Sequence, residues 1–183
     1  CDLVIIAAGV RSNLALAAGA GIDIGQGILV DEHQETSIPS VYAAGDVAQA
    51  GELLTGDKKV VPILPLAWEQ GRTAGMNMAG HKAEYRGSLA VNSVNLLDMS
   101  IMTAGDSRAE GISAVGDNPP FYRKIALHDG VICGLIAVNQ VDNMGIITAM
   151  IRKRVRIDGQ ESLLLQPRLN GVDLRGCLRT AIN

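Results

Sequence analysis

The sequence predicts a chain in two parts: the end of an α/β domain at about residues 1–83, and a small α+β domain at about residues 84–158. The first part carries short apolar strands and one helix, separated by glycine-rich loops. The second part carries longer β-rich runs joined by turns. Residues 159–183 show weak periodicity, so we expect a tail made of a loop and a short helix.

The composition predicts a folded protein with an aliphatic core, because 48% of its 183 residues are hydrophobic and only 3% are aromatic. The net charge is −3 and no long segment is basic, which argues against nucleic acid as a partner. The apolar runs are shorter than the roughly 20 residues of a membrane span. The three scattered cysteines lack CxxC spacing, so we expect a reducing, cytoplasmic location.

The elements of the first part follow from its apolar runs. Residues 1–8 predict a strand that is buried on both faces. Because the chain starts in that strand and without Met, we expect a piece of the C-terminal part of a longer protein; the alternative is a processed or tagged small domain. Residues 13–20 predict one or two helical turns, and residues 21–27 predict a loop.

Two more strands and an exposed segment come next. Residues 28–31 and 41–44 are short apolar runs and predict strands. Residues 48–61 contain two glycines and two adjacent lysines, which predict an exposed excursion. Residues 66–79 predict a helix, because Pro65 can take its first position and Gly80 can end it.

The second part predicts mostly strands. Residues 85–95 and 100–104 are candidates, and residues 121–127 and 131–139 predict a hairpin that turns at His128-Asp129-Gly130. The next segment predicts a helix, which Asp142 or Asn143 can cap and which runs to about Val155. Cys133, within a predicted strand, is expected to be a small buried hydrophobic residue.

The first candidate site is Gly45-Asp46, at the carboxyl end of the predicted strand 41–44. Open α/β sheets bind ligands at the carboxyl ends of their strands. A glycine there lets a ligand approach the backbone, and a carboxylate accepts hydrogen bonds from sugar-like hydroxyl groups. A turn-forming aspartate without a ligand is the alternative; the preceding T-S-I-P-S favours the binding site, because it sets a bend before the strand.

Two further candidates lie on either side in sequence. The free N–H groups expected around residues 66–68, at the start of the predicted helix, suit a phosphate or the N1–C2=O edge of a flavin. An ordinary core helix is the alternative. Arg11 lies in a strand-to-loop turn, where it suits a phosphate or a ribityl chain; a surface salt bridge is the alternative.

Other patterns predict no site. Residues 19–25 have one residue too many for G-x-G-x-x-G, and no helix follows them. His33, His81 and His128 lie in predicted loops without metal-ligand spacing, so we expect exposed histidines and no metal site. Trp68 could cover a cofactor or pack between domains. No side chain is a candidate general acid or nucleophile, so we expect no catalytic residue in this chain.

Three stretches, in order, resemble the FAD-dependent pyridine nucleotide-disulfide oxidoreductases. Residues 7–13 (AAGVRSN) resemble the family's A-x-G-x-R-P-N segment, with Ser12 where proline is usual. Residues 36–46 match the second FAD motif, T-S-x-P-x-[IV]-Y-A-x-G-D, throughout. Residues 62–80 look like the family's flavin-facing helix with its Q-G-R element.

The second part is similar to one subgroup. Residues 83–88 and 130–154 resemble the C-terminal region of NADH-dependent rubredoxin reductases and of the NADH-binding part of assimilatory nitrite reductases. The resemblance implies an enzyme that passes electrons from NAD(P)H through FAD to an acceptor such as rubredoxin or nitrite reductase centres. An H-P-T-x-x-E element is absent, so we do not expect dithiol chemistry with a C-terminal histidine. The alternatives are a CoA-disulfide reductase or NADH oxidase-like enzyme, and a dimerisation or partner-binding module.

The resemblance also implies roles for single residues. The first part would be the C-terminal portion of a Rossmann-like FAD-binding domain, in which Asp46 hydrogen-bonds the ribityl chain and the backbone of its neighbours approaches that chain or the pyrophosphate. The backbone at the start of the helix would lie by the isoalloxazine O2. The cofactor-binding residues implied in this way are Arg11, Gly45, Asp46, Val47, Pro65, Leu66 and Ala67.

The same resemblance implies what lies elsewhere. The glycine motifs for FAD and NAD(P)H, and any redox cysteine, would belong to the N-terminal remainder of the same protein. We therefore expect this chain alone to be inactive and unable to hold FAD tightly. Because the family's C-terminal domain commonly mediates dimerisation, we also expect a homodimer.

Overall fold

The computed structural model describes residues 1–117, 120–157, 159 and 161–166. The chain divides into two compact units, Cys1–Ser88 and Leu89–Asn183. Among the described residues, no helix has the length and apolar character that crossing a bilayer requires.

The first unit combines one long helix with a small three-stranded sheet. Strand β1 pairs in parallel with β2, and β2 pairs antiparallel with β3. The predicted helix after Pro65 is confirmed, although it starts two residues earlier than expected. The elements are α1 (Ala15–Gly19), β1 (Ile28–Leu29), β2 (Ala48–Gly51), β3 (Lys58–Lys59) and α2 (Leu64–Met78).

The core of this unit is built from small aliphatic residues, as the scarcity of aromatic residues predicts. It contains Val30, Ala43, Ala48, Ala50 and Tyr85, with Ile28 packed against them. The Tyr85 hydroxyl is hydrogen-bonded to Ser88 Oγ at 2.9 Å, so the one buried phenol in this cluster has a polar partner.

The prediction of a buried strand over residues 1–8 is wrong for this structure. The segment has no regular secondary structure, and its apolar side chains are exposed, to 85% for Ile6. A strand needs a neighbouring strand to take up its backbone hydrogen bonds. Within the described part of the chain no strand pairs with residues 1–8, so apolar composition alone does not produce a strand there.

Two further predictions for this unit need correction. Residues 41–44 form no strand; they contribute only the isolated bridge between Tyr42 and Glu35. Residues 48–61 are not wholly an exposed excursion, because they begin with β2, in which Ala50 is 0% exposed. The glycines and lysines that predicted exposure belong to the β2–β3 hairpin. Because of them, the sequence did not predict that Ala48 and Ala50 are buried in alternation along β2.

The second unit is a five-stranded antiparallel sheet covered by a helix. The strand order is β4-β5-β8-β7-β6, and α3 packs on β8 and β5. Its core consists mainly of aliphatic and methionine side chains from the sheet and from α3. The elements are β4 (Val91–Leu96), β5 (Met99–Gly105), β6 (Gly111–Asp117), β7 (Pro120–His128), β8 (Val131–Val138), α3 (Met144–Arg152) and α4 (Glu161–Leu164).

The predicted hairpin is confirmed in this unit, whereas strand β6 was not predicted. The turn between β7 and β8 has positive φ at both Asp129 (49°) and Gly130 (76°), which is the geometry that Asp-Gly favours. Strand β6 escaped prediction because glycine is a poor strand former. In the structure the glycines are needed, since a Cβ at Gly111 would clash with the Ile125 carbonyl oxygen.

The boundaries of the other elements differ modestly from expectation. Strand β4 starts at Val91, six residues later than predicted, and α3 ends at Arg152 rather than near Val155. Asn143 precedes α3 with a positive φ of 63° and no side-chain cap, so the predicted capping bond does not form. The short helix expected in the tail corresponds to α4; residues 160 and 167–183 of the tail lie outside the described residues.

Candidate functional site

The Gly45-Asp46 dipeptide lies in a tight turn that leads into β2. The Ala48 N–H donates to the Gly45 carbonyl oxygen at 2.9 Å, which closes a β-turn with Asp46 and Val47 as its central residues. The Val47 carbonyl oxygen accepts a hydrogen bond from the Ile28 N–H at 2.7 Å, so β1 holds the far side of the turn.

The two central residues of the turn leave polar groups available to a ligand. Within the described part of the chain, the N–H groups of Asp46 and Val47 donate to no protein acceptor, and the exposed Asp46 carboxylate has no hydrogen bond or ion pair. Two donors and one charged acceptor therefore lie on consecutive residues. Such a set can bind a group that has both oxygen acceptors and hydroxyl donors.

Gly45 connects this turn to helix α2. Its φ is +82°, which L side chains rarely adopt, and a Cβ added there would lie 3.3 Å from the Cβ of Ala67. The Gly45 N–H donates to Gln70 Oε1 at 2.7 Å. Both the backbone conformation and the close approach of α2 explain why glycine occupies this position.

The N-terminus of α2 differs in detail from its prediction. Ile63 is the N-cap, so Pro65 takes the second helical position rather than the first. The N–H groups of Leu66 and Ala67 were expected to be free, but both donate to the Ile63 carbonyl oxygen at 3.0 Å. What this end offers a ligand is therefore the positive end of the helix dipole rather than these two amides.

The loop that carries Arg11 also reaches the turn. Ser12 Oγ donates to the Asp46 carbonyl oxygen at 2.7 Å. The Arg11 side chain is exposed and makes no ion pair among the described residues. The structure thus brings together three stretches that the sequence separates: the Arg11 loop, the Gly45–Ala48 turn and the first turns of α2.

Two residues that hold this arrangement together, Ser12 and Gln70, were not predicted. Ser12 was noted only as a departure from a pattern, and Gln70 only as the first residue of the Q-G-R element. Gln70 carried a clearer signal, because it occupies a position between Leu66 and Thr73 on the buried face of α2, where an apolar residue would be expected. A buried amide on such a face requires a polar partner.

The remaining candidates lie apart from the turn or are exposed. Trp68 is 68% exposed on α2. His81 and His128 are exposed as expected, whereas His33 is half-buried and its Nδ1 lies 2.8 Å from the Ala83 carbonyl oxygen. That carbonyl is the largest influence raising the pKa of His33. Among the described residues, no group of three His, Cys, Asp or Glu side chains could hold a metal ion.

Cys133 is half-buried rather than fully buried. Burial raises the pKa of its thiol, and the Asp106 carboxylate adds to this effect. A raised pKa keeps the thiol protonated at neutral pH, so Cys133 is a poor nucleophile.

Comparison with known proteins shows what the chain is similar to. The family model described as pyridine nucleotide-disulphide oxidoreductase matches residues 1–71, which include the Arg11 loop, the turn and the start of α2. The NAD(P)H sulfur oxidoreductase (CoA-dependent) of Pyrococcus furiosus is 37% identical over 113 residues, which cover 61% of this chain and 26% of that protein.

Other relatives match more of the chain. The NADH-dependent phenylglyoxylate dehydrogenase subunit epsilon of Aromatoleum evansii is 33% identical over 160 residues, 84% of this chain and 38% of that protein. The crystal structure of NADH:rubredoxin oxidoreductase from Clostridium acetobutylicum superposes with a TM-score of 0.65 at 26% identity, covering 84% of this chain and 39% of that one.

These matches indicate the fold of the chain and the share of each relative that the chain covers. The chain spans 26% and 38% of the two curated relatives, so it corresponds to only part of each. It has a sheet-rich α/β fold that matches domains of FAD- and NAD-dependent oxidoreductases. Over residues 1–71 the chain matches the family of pyridine nucleotide-disulphide oxidoreductases, and the two relatives that match 84% of its length are both named for their use of NADH.

Proposed function

We propose that this chain supplies one wall of the FAD site in an NAD(P)H-dependent oxidoreductase. The observation that carries the proposal is the Gly45–Ala48 turn, which has two N–H donors and one carboxylate without protein partners among the described residues. FAD has the matching groups, since its ribityl chain carries hydroxyl donors and its pyrophosphate carries oxygen acceptors. The family match over residues 1–71 supports the choice of ligand.

Each residue of the turn has a role in this proposal. The Asp46 carboxylate accepts a hydrogen bond from a ribityl hydroxyl, and the N–H groups of Asp46 and Val47 donate to ribityl or pyrophosphate oxygens. Gly45 lets the turn pack against α2, because a side chain there would meet Ala67. Arg11 carries the positive charge that a pyrophosphate attracts.

The start of α2 completes the wall. Its dipole, at the turn formed by Pro65, Leu66 and Ala67, favours the negative charge that collects at the N1–C2=O edge of a reduced flavin. When bound, the flavin supplies the redox chemistry, taking hydride from NAD(P)H and passing electrons to an acceptor. The protein's own contribution is to bind and orient the cofactor, and no residue of this chain acts as an acid, base or nucleophile.

The two parts of the chain take different roles in the proposal. Residues 1–83 form the C-terminal part of a Rossmann-like FAD-binding domain. Residues 84–158 form an α+β domain of the dimerisation type, and residues 159–183 form a tail. The N-terminal remainder of the same protein supplies the other half of the FAD site and the NAD(P)H site, and the whole enzyme is a cytoplasmic homodimer.

The acceptor is a redox protein such as rubredoxin, or the centres of a nitrite reductase. The similarity to NADH:rubredoxin oxidoreductase supports the first of these. A second candidate is a CoA-linked disulfide or sulfur reductase, or an NADH oxidase-like enzyme, which the 37% identity to a CoA-dependent sulfur oxidoreductase supports. Anaerobic oxidation of NADH by the full-length protein, assayed against rubredoxin, nitrite, CoA-disulfide and polysulfide, separates the two.

A binding experiment tests the proposed site directly. In the full-length protein, Asp46→Ala should weaken FAD binding by about tenfold or more, because a hydrogen bond to a charged group is lost. Asp23→Ala is the matched control, since Asp23 is an exposed aspartate of the same unit whose side chain makes no hydrogen bond within the described residues. Equal FAD affinity in Asp46→Ala and wild type would rule out the proposed site.

The isolated chain provides a second test. Because the other half of the site is missing, we expect it to bind FAD weakly and to show no NADH oxidation. Co-purification of stoichiometric flavin with the isolated chain would contradict this. If the isolated chain works instead as a dimerisation or partner-binding module, it will sediment as a dimer or larger species; a monomer at high concentration counts against that role.

A further inference from the structure

Gln70 is a buried polar residue with a specific partner outside its own helix. It is 2% exposed, and its Oε1 accepts the Gly45 N–H at 2.7 Å. The other polar residue on this buried face, Thr73, bonds within α2 by donating to the Glu69 carbonyl oxygen at 3.0 Å. Within the part of the chain described, Gln70 therefore provides the one side-chain hydrogen bond from α2 to the turn.

The need for this contact follows from the backbone of the turn. At φ +82° the chain leaves the extended conformation at Gly45, so its N–H is not directed into a strand ladder. An unpaired N–H next to a packed helix costs free energy comparable to a lost hydrogen bond. The Gln70 side chain provides the missing acceptor and, because α2 is rigid, it holds the turn at a set distance from the helix.

Ser12 holds the same turn from another side. Its hydroxyl donates to the Asp46 carbonyl oxygen, so the peptide groups on both sides of the Asp46 amide are fixed by side chains. A proline at this position, which the resembled motif usually has, could not donate this bond. The bond to the Asp46 carbonyl oxygen therefore depends on the serine at this position.

We propose that Gln70 and Ser12 are positioning residues for the proposed FAD site, acting on the turn and not on the cofactor. The inference rests on the proposed function. It assigns different tasks to three consecutive N–H groups: the Gly45 N–H is reserved for Gln70, and those of Asp46 and Val47 are left for the ligand. Neither positioning residue needs to touch the cofactor, because each binds a backbone group of the turn.

Hydrogen exchange of the wild-type full-length protein, read by NMR on the three amides, tests this division without any variant. In the FAD-free protein we expect the Gly45 amide to be protected and those of Asp46 and Val47 to exchange rapidly. Added FAD should slow the latter two and leave Gly45 unchanged. Rapid exchange at Gly45, or slowing at Gly45 alone on FAD addition, would overturn the inference.

Variants test the positioning role itself. Gln70→Met keeps length but removes the acceptor, and should weaken FAD binding by about tenfold. Ser12→Ala should weaken binding by a smaller factor and Ser12→Thr should restore it. Thr73→Val is the control on the same helix face, and should alter thermal stability without altering FAD affinity.

The outcomes separate the inference from the function it rests on. If the wild-type full-length protein binds no FAD, the proposed function fails. If the wild type binds FAD and Gln70→Met, folded by circular dichroism, binds it equally well, the positioning role fails and the proposed function stands. If Gln70→Met does not fold, the exchange experiment and the Ser12 pair decide.

Discussion

Gly45 faces Ala67 so closely that a Cβ added to Gly45 would lie 3.3 Å from the Cβ of Ala67. The β-turn that carries Asp46 therefore packs directly on helix α2 at Ala67, which lies about one helical turn before Gln70. This contact joins two sequence motifs that are about twenty residues apart, and it makes the candidate site a single packed structure.

Gly45→Ala should destabilise the first unit by about 2–3 kcal/mol, of which about 1–2 kcal/mol comes from the positive φ and the rest from the contact with Ala67. Gly80→Ala is the matched control, because Gly80 has the same φ of +82° but an open space around it. Urea denaturation of both variants, followed by the fluorescence of Trp68, measures the difference. Equal losses would show that the Ala67 contact contributes nothing.

The sequence predicted the local elements of the site better than their connections. Residues 36–46 and Pro65 pointed to the turn and to α2, because turn residues and helix signals act over a few neighbouring positions. The hydrogen bond between Gly45 and Gln70 joins the turn to α2. The residue type at either position does not reveal the partner, because the two residues are far apart in sequence. A glutamine on a buried helix face was a visible sign that such a partner exists.

The errors in the fold have similar causes. An apolar run such as residues 1–8 predicts burial, but a strand also requires a partner strand, which composition does not reveal. Strand β6 was hidden by Gly111 and Gly116, whose missing side chains make room for the Ile125 carbonyl and the Phe121 ring. Close packing between neighbouring strands therefore requires glycine at these two positions, although glycine has a low intrinsic propensity for strands.

Arg123 is expected to be the most sensitive charged residue of the second unit. It is 1% exposed, and its guanidinium donates to the carbonyl oxygens of Gln140 at 3.0 Å and Leu164 at 3.2 Å and to that of Gln166. Arg123→Met should lower the free energy of unfolding by about 2–4 kcal/mol, because buried carbonyls lose a charged donor. Urea denaturation followed by circular dichroism measures the change.

The control for Arg123 is Arg152→Met, which removes an exposed arginine from the end of α3. It should cost less than about 1 kcal/mol, the range for a surface charge near a helix end. A similar loss in both variants would mean that the buried carbonyl contacts of Arg123 add nothing beyond a surface charge.

Glu52 makes the β2–β3 hairpin sensitive to acid. Burial tends to raise the pKa of its carboxyl, but hydrogen bonds from Leu54 and Thr55 and the charge of Lys59 outweigh burial, so the pKa is lowered. Because the pKa is lowered, the ionised carboxylate stabilises the fold at pH values above the ordinary glutamate pKa of about 4.3. This stabilisation is lost as the pH falls below that value and through the lowered pKa. The stabilisation belongs to the ionised carboxylate.

Glu52→Gln should therefore lower stability at pH 7 by about 0.5–1 kcal/mol, a modest value because the group is partly exposed to solvent. The difference from wild type should shrink as pH falls from about 5 to 3. Denaturant titrations at several pH values measure it, with Glu110→Gln as an exposed control. A difference that stays constant over this range would contradict the role of the charge.

His33 predicts a pH dependence of the opposite sign. The Ala83 carbonyl oxygen, 2.8 Å from its Nδ1, is the largest cause of its raised pKa; burial opposes it, and the nearby carboxylates of Asp31, Glu32 and Glu84 add to it. A raised pKa means that protonated His33 stabilises the fold below the ordinary value of about 6.5. This contribution is lost as pH rises through the raised pKa.

His33→Gln should thus be less stable than wild type at pH 6 and should approach the stability of wild type by pH 8, as measured by urea denaturation. An NMR titration of the His33 ring should give a midpoint above 6.5. A midpoint below that value would show that burial outweighs the carbonyl contact.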